Sequence, residues 1–266
     1  MKIIGHRGAS LEYPENTIEA IKAAYDLSAD GAECDVTVTK DGNVVLIHDD
    51  DTIRTCPSEK NYIISETEYS KLKKLDVGSW KDEKFKGIKI PLIEKVIKTT
   101  PKDKILFVEV KSGSLNQGVN ENLKKALFRI FKGYEKPFKN IIFISFDHDF
   151  LNEFKRMLPD YKMFYLTESE DAIGNWIYTR NQEELNGIIK KAKGNGIDGI
   201  DLQNAPVVKK EWIESIKAAG LESAIWSYRK DDTIENAIRY KDYGVDYLKT
   251  DDVRSVISAI NKLKKI

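Results

Sequence analysis

Short β-branched segments alternate with longer amphipathic segments along almost the whole sequence, and this alternation constrains the fold more than any other feature. Eight segments have the length and composition of buried strands. They lie at 2–6, 32–39, 105–111, 141–146, 161–166, 199–202, 222–227 and 246–250. Each is followed by apolar residues at helical spacing, at 17–27, 92–99, 120–131, 148–157, 182–193, 209–218, 232–240 and 253–263. This alternation is typical of a parallel sheet covered by helices.

The number of strand–helix units predicts the architecture. Eight units in 266 residues are typical of a TIM (β/α)8 barrel, so we expect a single α/β domain over residues 1–266. An open, doubly wound sheet is the alternative, because alternation alone does not show that the first and last strands pair. At the start of the first helix, the spacing of Asn16 and Glu19 predicts that the Asn16 side chain caps the helix.

A long segment interrupts the second strand–helix unit. Residues 49–90 separate the second predicted strand from its helix, whereas the other connections are shorter. We therefore expect a small insertion after the second strand. Its expected position is over the carboxyl ends of the strands, where barrels of this kind carry their active sites.

The composition argues against several classes of partner. The chain has 43 basic and 43 acidic residues, so no net charge draws it to nucleic acid or to an anionic membrane. No apolar stretch approaches the ~18 residues of a transmembrane segment, and the first residues lack the pattern of a signal peptide. The two cysteines, Cys34 and Cys56, fit free thiols rather than a disulfide scaffold. These features predict a cytoplasmic protein and leave the oligomeric state open.

Two carboxylates stand close together in the second predicted strand. Glu33 and Asp35 are two residues apart and therefore point to the same face of the sheet. Burying both is expensive unless another group compensates their charge. The letters KDGN at 40–43 predict a tight hairpin turn. Pairing the first and last residues of this turn places His48 opposite Asp35, unless a bulge shifts the register by one residue.

The ends of the first and third strands add further charged groups. His6 and Arg7 end the first strand, and Glu109 and Lys111 lie near the end of the third. Because these strands are neighbours in a barrel, all of these groups converge with the carboxylates of the second strand. Three carboxylates ~4 Å apart repel by roughly 4 kcal/mol per pair at an effective dielectric of 20. A divalent cation removes that penalty, and an all-oxygen ligand set favours Mg²⁺ or Ca²⁺ over zinc.

Each of these residues, taken singly, also fits a structural role. The carboxylate pair alone is equally compatible with a salt bridge, and a lone histidine or arginine more often stabilises the fold than takes part in chemistry. Their concentration at neighbouring strand ends favours a functional site. His148 follows the fourth strand, and we expect it at a helix start or on the rim, with no assigned role.

Long motifs in the sequence resemble a known family. The segments HRGASLEYPENTIEA, GAECDVTVTKDGNVVLIHDDDTIRT and VEVK are similar, in this order, to sequences of the glycerophosphodiester phosphodiesterase family. The similarity continues through ISFD, IDLQ, IWSY and GVDYLKTDD and covers nearly the whole chain. It implies a TIM barrel that hydrolyses a small-molecule glycerophosphodiester to glycerol 3-phosphate and an alcohol. It also implies one divalent cation, Mg²⁺ or Ca²⁺, as the cofactor.

The resemblance implies roles for eight residues. These are His6 and His48 as the acid–base pair, Glu33, Asp35 and Glu109 as metal ligands, Arg7 and Lys111 as phosphate-binding cations, and Trp226 as an aromatic wall beside the glycerol. The sequence departs from the family pattern at Cys34, which we interpret as a packing residue on the helix side of its strand. It departs again at IWSYR and at TDDV, where a usual proline is missing. Both changes concern the leaving alcohol rather than the chemistry.

Three other functions are weighed against this one. A lysophospholipase D acting on lipids needs an apolar rim, and the inserted segment is mixed and charged. A non-catalytic phosphate-binding barrel has no use for a pair of acid–base groups. A barrel of the phosphatidylinositol-specific phospholipase kind also uses two histidines, but the Glu-x-Asp and Glu-x-Lys patterns favour a metal-dependent hydrolase.

Overall fold

The computed structural model of the protein describes residues 1–57, 60–112, 117–133, 140–169 and 179–263. The strands in these ranges are β1 (Lys2–Gly5), β2 (Gly31–Val38), β3 (Val44–Leu46), β4 (Ile105–Val110), β5 (Ile141–Ser145), β6 (Lys162–Thr167), β7 (Gly199–Gln203), β8 (Glu222–Trp226) and β9 (Tyr247–Thr250). The helices are α1 (Ile18–Asp26), α2 (Tyr69–Leu72), α3 (Ile93–Thr99), α4 (Gln117–Lys132), α5 (His148–Met157), α6 (Gln182–Gly194), α7 (Lys210–Ala218), α8 (Ile234–Tyr243) and α9 (Val253–Leu263). Among these helices, none is long and apolar enough to cross a bilayer.

Eight parallel strands close into a barrel. They follow the order β1, β2, β4, β5, β6, β7, β8, β9, and β1 pairs with both β2 and β9. This closure confirms the predicted TIM barrel and contradicts the open-sheet alternative. The eight predicted strands are all present, and their bounds differ from the prediction by at most one residue at either end.

Large apolar side chains fill the barrel interior below its carboxyl end. Phe107, Phe164 and Tyr247 point inward and pack edge to face, with ring centroids 5.2 to 5.8 Å apart. Glu109, two residues after Phe107, shares its inward direction because side chains alternate along a strand. Cys34 lies in the separate core between the sheet and the helices and has no exposed surface. The strands thus place charged groups above an aromatic floor.

The hairpin after β2 has a register that differs by one residue from the prediction. The N–H of Thr39 donates to the carbonyl of Asn43 at 2.9 Å, so the loop has three residues and its glycine adopts a φ of 78°. As a result the N–H of Ile47 donates to the carbonyl of Asp35 at 3.2 Å. The expected pairing of His48 with Asp35 is therefore wrong. His48 instead follows the end of β3 and reaches the same region from the loop.

The first long helix is capped by a different residue from the one expected. The hydroxyl of Thr17 accepts from the N–H of Ala20 at 3.1 Å and caps α1. Asn16 has a left-handed φ of 57°, and its side chain turns away from the helix. It hydrogen-bonds instead to Asp35 on β2, as described below. The predicted Asn16 cap is wrong because that amide is engaged by the strand.

The segment between β3 and α3 has a small core of its own. This core consists of Val45 on β3 together with Ile47, Cys56, Ile64, Leu72, Val77 and Ile90 of the segment. The expected insertion at 49–90 includes positions 58–59, which lie outside the described residues. The segment brings Arg54 and Trp80 to the carboxyl ends of the barrel strands. It therefore contributes one side of the pocket described next.

Candidate active site

A pocket of about 450 Å³ opens at the carboxyl ends of the barrel strands. Seven of the eight predicted site residues line it, namely His6, Arg7, Glu33, His48, Glu109, Lys111 and Trp226. The eighth, Asp35, is buried beside the pocket, where its carboxylate lies 3.3 Å from Arg7 Nε. The structure thus brings all eight residues together at one place.

Three carboxylates from two neighbouring strands form the centre of the site. Glu33, Asp35 and Glu109 each offer an oxygen, and these oxygens lie within 4.8 Å of one another. Glu33 Oε1 and Asp35 Oδ1 are buried and have no hydrogen-bond partner within the described residues. Buried orphan oxygens carry a desolvation cost that a bound cation offsets. The donor set and its orphan oxygens fit a hard divalent ion such as Mg²⁺ or Ca²⁺.

The two carboxylates on β2 differ in their affinity for protons. Burial and the adjacent charge of Asp35 raise the pKa of Glu33 to about 7. Burial would also raise the pKa of Asp35, but Arg7, His48 and Lys111 hold it well below its usual range. Asp35 is therefore the more acidic member of the pair.

Arg7 connects the first strand to this cluster. It sits at a φ of 56°, and its N–H donates to Glu33 Oε2 at 2.7 Å. Its guanidinium donates to Glu15 at 3.0 Å and contacts Asp35 at 3.3 Å. The turn needs Gly8, because a Cβ at its φ of +84° would lie 2.4 Å from the backbone of α1. The loop after β1 is thereby held tightly against the helix and the carboxylates.

Asn16 fixes the position of Asp35. Its Nδ2 donates to Asp35 Oδ2 at 2.8 Å, and its Oδ1 accepts from the Asp35 N–H at 2.9 Å. The two bonds hold one oxygen of the carboxylate and its backbone together. They leave Asp35 Oδ1 as the oxygen that has no hydrogen bond from the part of the chain that the structure describes.

His6 is oriented by a carboxylate at the far end of the chain. Its Nδ1 lies 2.8 Å from Asp251 Oδ1, which also accepts from Ser10 Oγ, while Arg229 contacts the other oxygen of Asp251. Burial lowers the pKa of His6, but the hydrogen bond to Asp251 and the charge of Glu33 outweigh it, and the net shift is upward. With Nδ1 engaged by the carboxylate, Nε2 is the nitrogen left for a ligand in the pocket.

His48 has a similar partner in the inserted segment. Its Nδ1 lies 2.7 Å from Asp49 Oδ1. Arg54 donates to both oxygens of Asp49 and also to both oxygens of Glu15. Burial would raise the pKa of Asp49, but the hydrogen bonds from His48 and Arg54 hold it well below its usual range. Both histidines are therefore held by an ionised aspartate at the same ring nitrogen.

Two lysines lie beside and below the carboxylates. Lys111 Nζ donates to Glu109 at 2.8 Å and lies 3.7 Å from Asp35. Lys249 lines the floor of the pocket and forms a buried ion pair with Asp201 inside the barrel. Burial raises the pKa of Asp201 despite this pair. Lys111 and Lys249 thereby compensate part of the negative charge of the buried carboxylates.

The opposite wall of the pocket is largely aromatic. The Trp226 ring lies 5.7 Å from Phe146 and 5.2 Å from Tyr228, in edge-to-face contacts. Trp226 Nε1 donates to the carbonyl of Thr167 at 3.1 Å, which fixes the indole against β6. The next residue, Glu168, is only 4% exposed and also lines the pocket. Among the described residues, this wall therefore carries one acidic group among rings.

The third histidine lies outside the pocket. His148 begins α5, is buried, and stacks on the Tyr165 ring at 3.8 Å. Its Nε2 lies 2.8 Å from the carbonyl of Leu166, and its Nδ1 has no hydrogen-bond partner within the described residues. Burial lowers the pKa of His148 to about 4. The residue is at a helix start, as expected, and does not reach the rim.

Sequence reasoning missed several residues that support this site. Asp49 directly follows His48, and Asp251 directly follows the last predicted strand, so both positions were usable signals. Arg54 and Glu168 had no such signal, because their role depends on loop paths that bring distant segments together.

Known sequences match this chain over nearly its whole length. The model of the glycerophosphoryl diester phosphodiesterase family matches residues 6–255. A glycerophosphodiester phosphodiesterase of Caldanaerobacter subterraneus subsp. tengcongensis is 33% identical over 265 residues, covering 98% of both chains. A glycerophosphodiester phosphodiesterase of Bacillus subtilis is 30% identical over 177 residues, which is 63% of this chain and 59% of that protein.

Comparisons with solved structures show the same fold. A phosphodiesterase of Oleispira antarctica, solved in complex with the product sn-glycerol-3-phosphate, has a TM-score of 0.81 at 24% identity over 98% of this chain and 97% of that chain. A glycerophosphodiester phosphodiesterase of Thermotoga maritima has a TM-score of 0.70 at 24% identity over 97% of each chain. Together with the sequence matches, these findings mean that the chain belongs to the glycerophosphoryl diester phosphodiesterase family.

Proposed function

We propose that this protein hydrolyses glycerophosphodiesters to glycerol 3-phosphate and an alcohol in a reaction that depends on Mg²⁺ or Ca²⁺. The observation that carries the proposal is the meeting of two aspartate-held histidines with a three-carboxylate cluster in one pocket. A phosphate-binding protein needs the cations but has no need of two oriented imidazoles. An acid–base hydrolase needs both.

The carboxylates Glu33, Asp35 and Glu109 are the proposed ligands of the divalent ion. When bound, the ion supplies positive charge that stabilises the phosphoryl oxygens as their charge increases. Arg7 and Lys111 border the same carboxylates and add two fixed positive charges for the phosphodiester. The substrate is an anion, so this concentration of cations in a neutral protein gives it a local binding site.

The two histidines carry the proposed proton transfers. The Nε2 of one accepts the proton of the attacking hydroxyl, either the 2-hydroxyl of the glycerol or a water molecule. The attacking oxygen forms a bond to phosphorus, the bond to the leaving alcohol breaks, and the Nε2 of the other histidine protonates the alcohol. Attack by the internal hydroxyl gives a cyclic phosphate, which water opens with the roles of the histidines reversed. Asp251 and Asp49 keep each ring in the tautomer that these steps need.

The test is the release of glycerol 3-phosphate by protein stripped with a chelator. Mg²⁺, Mn²⁺ and Ca²⁺ are added back singly to a panel of glycerophosphodiesters, and binding of each ion is followed in parallel by the shift in Tm. We expect ion-dependent release, and loss of both the release and the Tm shift in Glu109→Gln. Full activity of the stripped protein would contradict the role of the carboxylates. Absence of release from every diester with every ion would contradict the proposed function.

A further inference from the structure

Lys81 lies at the mouth of the active-site pocket and forms no ion pair with the described residues. It follows Trp80, which lines the pocket, and its Nζ donates to the carbonyl of Ser10 at 2.7 Å. Lys84 and Lys86, further along the same inserted segment, each form an ion pair with an acidic side chain. Lys81 thus differs from its neighbours, because the described part of the chain leaves its charge uncompensated.

A second cation lies close to Lys81. Arg229 follows β8 and lines the pocket, and its Nε donates to Asp251 at 3.1 Å. Burial lowers the pKa of Lys81, the charge of Arg229 lowers it further, and together these effects outweigh the charges of Asp251 and Glu15. The two cations therefore repel each other at the pocket mouth.

The two acidic groups that act on Lys81 are engaged elsewhere. Asp251 lies between His6 and Arg229, at 2.8 Å and 3.1 Å. Glu15 binds two arginines, at 3.0 Å and 2.8 Å. An anionic ligand that reaches both cations would relieve their repulsion, because it would attract each of them.

A groove adjoins the pocket at this point. It has a volume of about 620 Å³ and lies between the loop after β1 and the inserted segment. Lys81 lines the groove, and Ser10, to which it donates, lines the pocket. The two acids in the groove, Glu12 and Asp82, are each paired with a cation. A leaving alcohol that extends out of the pocket into this groove therefore passes Lys81.

The sequence around Arg229 supports a role in binding the alcohol. Arg229 ends the segment IWSYR, where the sequence departs from the family pattern. The phosphodiester itself is served by Arg7 and Lys111, which border the carboxylate cluster. A further cation at the rim therefore acts on a more distant part of the substrate, and this feature is particular to the present chain.

We propose that Lys81 and Arg229 form a subsite for a second phosphate group, carried by the leaving alcohol. A terminal phosphate has several acceptor oxygens and can bind two cations at once. The inference rests on the proposed phosphodiesterase function and specifies the class of leaving alcohol at the same site. The two residues determine specificity and take no part in the proton transfers. The alternative is that Lys81 only fastens the inserted segment to the loop after β1 through the Ser10 carbonyl.

Two diesters of similar shape separate these roles. In both, glycerol 3-phosphate is esterified to a glycerol that carries a terminal phosphate, and in the second diester this terminal phosphate is a neutral dimethyl ester. The kcat/KM for cleavage of the internal diester is measured by phosphorus NMR at a fixed concentration of free divalent ion. We expect wild type to prefer the charged diester by about tenfold or more. Lys81→Met should remove most of that preference, and Lys81→Arg, which retains the charge, should keep most of it.

Lys86→Met is the matched control. It removes a cation from the same inserted segment, but Lys86 is 69% exposed and lines neither the pocket nor the groove. This variant should keep the preference of wild type. Added salt should reduce the preference in wild type and have little effect on Lys81→Met, because screening weakens the attraction between exposed charges.

The outcomes are distinguishable from one another. Equal losses on both diesters in Lys81→Met would assign Lys81 to fastening the loop and overturn the subsite, as would the absence of any preference in wild type. Cleavage of simple glycerophosphodiesters without cleavage of the charged diester would also overturn it. If wild type cleaves no diester at all, the proposed function fails. The subsite is then tested by calorimetric binding of both diesters to the ion-loaded protein, where equal affinities would overturn it. Circular dichroism and Tm establish that the variants are folded.

Discussion

The two sides of the pocket are built from the same barrel but by different means. The side formed by β1, β2 and β4 carries charged residues that bond mainly to one another, as Arg7 does to Glu33 and Asp35. The side formed by β5, β6 and β8 carries rings, and within the described residues Glu168 is the one carboxylate that it contributes to the pocket lining. Within the described residues, the first side has many charged groups that pair with one another, whereas the second has mainly rings, with Glu168 and the paired Arg229 as its charged groups.

The two sides suit two different tasks of an active site, namely the chemical step and the binding of the rest of the substrate. Charges that support one another keep fixed positions and fixed protonation states, which proton transfer and anion binding require. Rings and a lone acid hold a substituent without taking part in the reaction. We therefore expect changes on the charged side to lower kcat, and changes on the aromatic side to alter KM and the choice of alcohol. The predictions below test that division in order of decreasing effect.

The largest expected effect is the loss of either histidine on the charged side. His6→Ala and His48→Ala remove the proposed proton acceptor or donor, and each should lower kcat by about 10²–10⁴-fold. The measurement is the steady-state rate of glycerol 3-phosphate release at saturating substrate. His148→Gln is the control, because His148 is buried outside the pocket and should retain the rate. A rate within tenfold of wild type in either alanine variant would contradict the division.

The next effect tests the support of His6 by a carboxylate. Asp251→Asn keeps the shape of the side chain but no longer stabilises the charged ring, and we expect kcat to fall by about 10²-fold. Since Asp251 raises the pKa of His6, the limb of the kcat profile that reports His6 should move to lower pH. The control is Asp252→Asn: Asp252 caps α9 by accepting from the Ser255 N–H, an asparagine caps equally well, and this variant should leave the pH profile unchanged. An unshifted limb in Asp251→Asn would contradict the role of this aspartate.

The fold and the charged side were largely predictable from the sequence. Strand length, alternation and chain length predict the barrel, and carboxylates two residues apart, such as Glu33 and Asp35, must share a face. Convergence of the first three barrel strands then follows from the topology. The predicted hairpin register was wrong because the loop has three residues rather than two. One extra residue in the loop shifts the register by one and moves every side chain of the strand to the other face. No other part of the sequence signals this loop length.

The residues that hold the catalytic groups in place, and the aromatic side of the pocket, were less predictable because they depend on tertiary contacts. Asn16 lies in a sequence context typical of a helix cap, yet its side-chain amide donates to Asp35 on β2. Arg54 reaches Glu15 from 39 positions further along the chain, through a path that only the folded insertion defines. Glu168 is distinguished by its burial and by having no ion pair within the described residues, and neither property is visible in the local sequence pattern.

A smaller effect concerns stability rather than rate, at His148 outside the pocket. The pKa of His148 falls to about 4 in the folded protein from an ordinary value of 6.5. Its Nε2 already faces a carbonyl and its Nδ1 has no acceptor within the described residues, so a second proton has no partner. The unfolded chain therefore binds more protons between these pH values, and stability falls as the pH falls through this window.

The acid sensitivity of His148 is measured by urea unfolding in the presence of a chelator. Wild type should lose about 2–3 kcal/mol more than His148→Gln between pH 7.5 and pH 4.5. The variant keeps a donor for the Leu166 carbonyl but does not titrate. Equal losses in the two proteins would mean that protonation of His148 is accommodated, and that the residue is less enclosed than its contacts indicate.

The smallest effect is expected at the centre of the aromatic wall. Trp226→Phe loses the hydrogen bond to the Thr167 carbonyl and part of the ring surface, but retains an apolar wall. We expect KM to rise about threefold to tenfold with kcat little changed, since the lost contacts are made equally to the ground state and the transition state. Trp212→Phe on α7 is the matched control, because Trp212 is equally well buried but lies outside the pocket lining. A fall in kcat as large as that of Asp251→Asn would place Trp226 with the charged side, and the division of labour between the two walls would then be wrong.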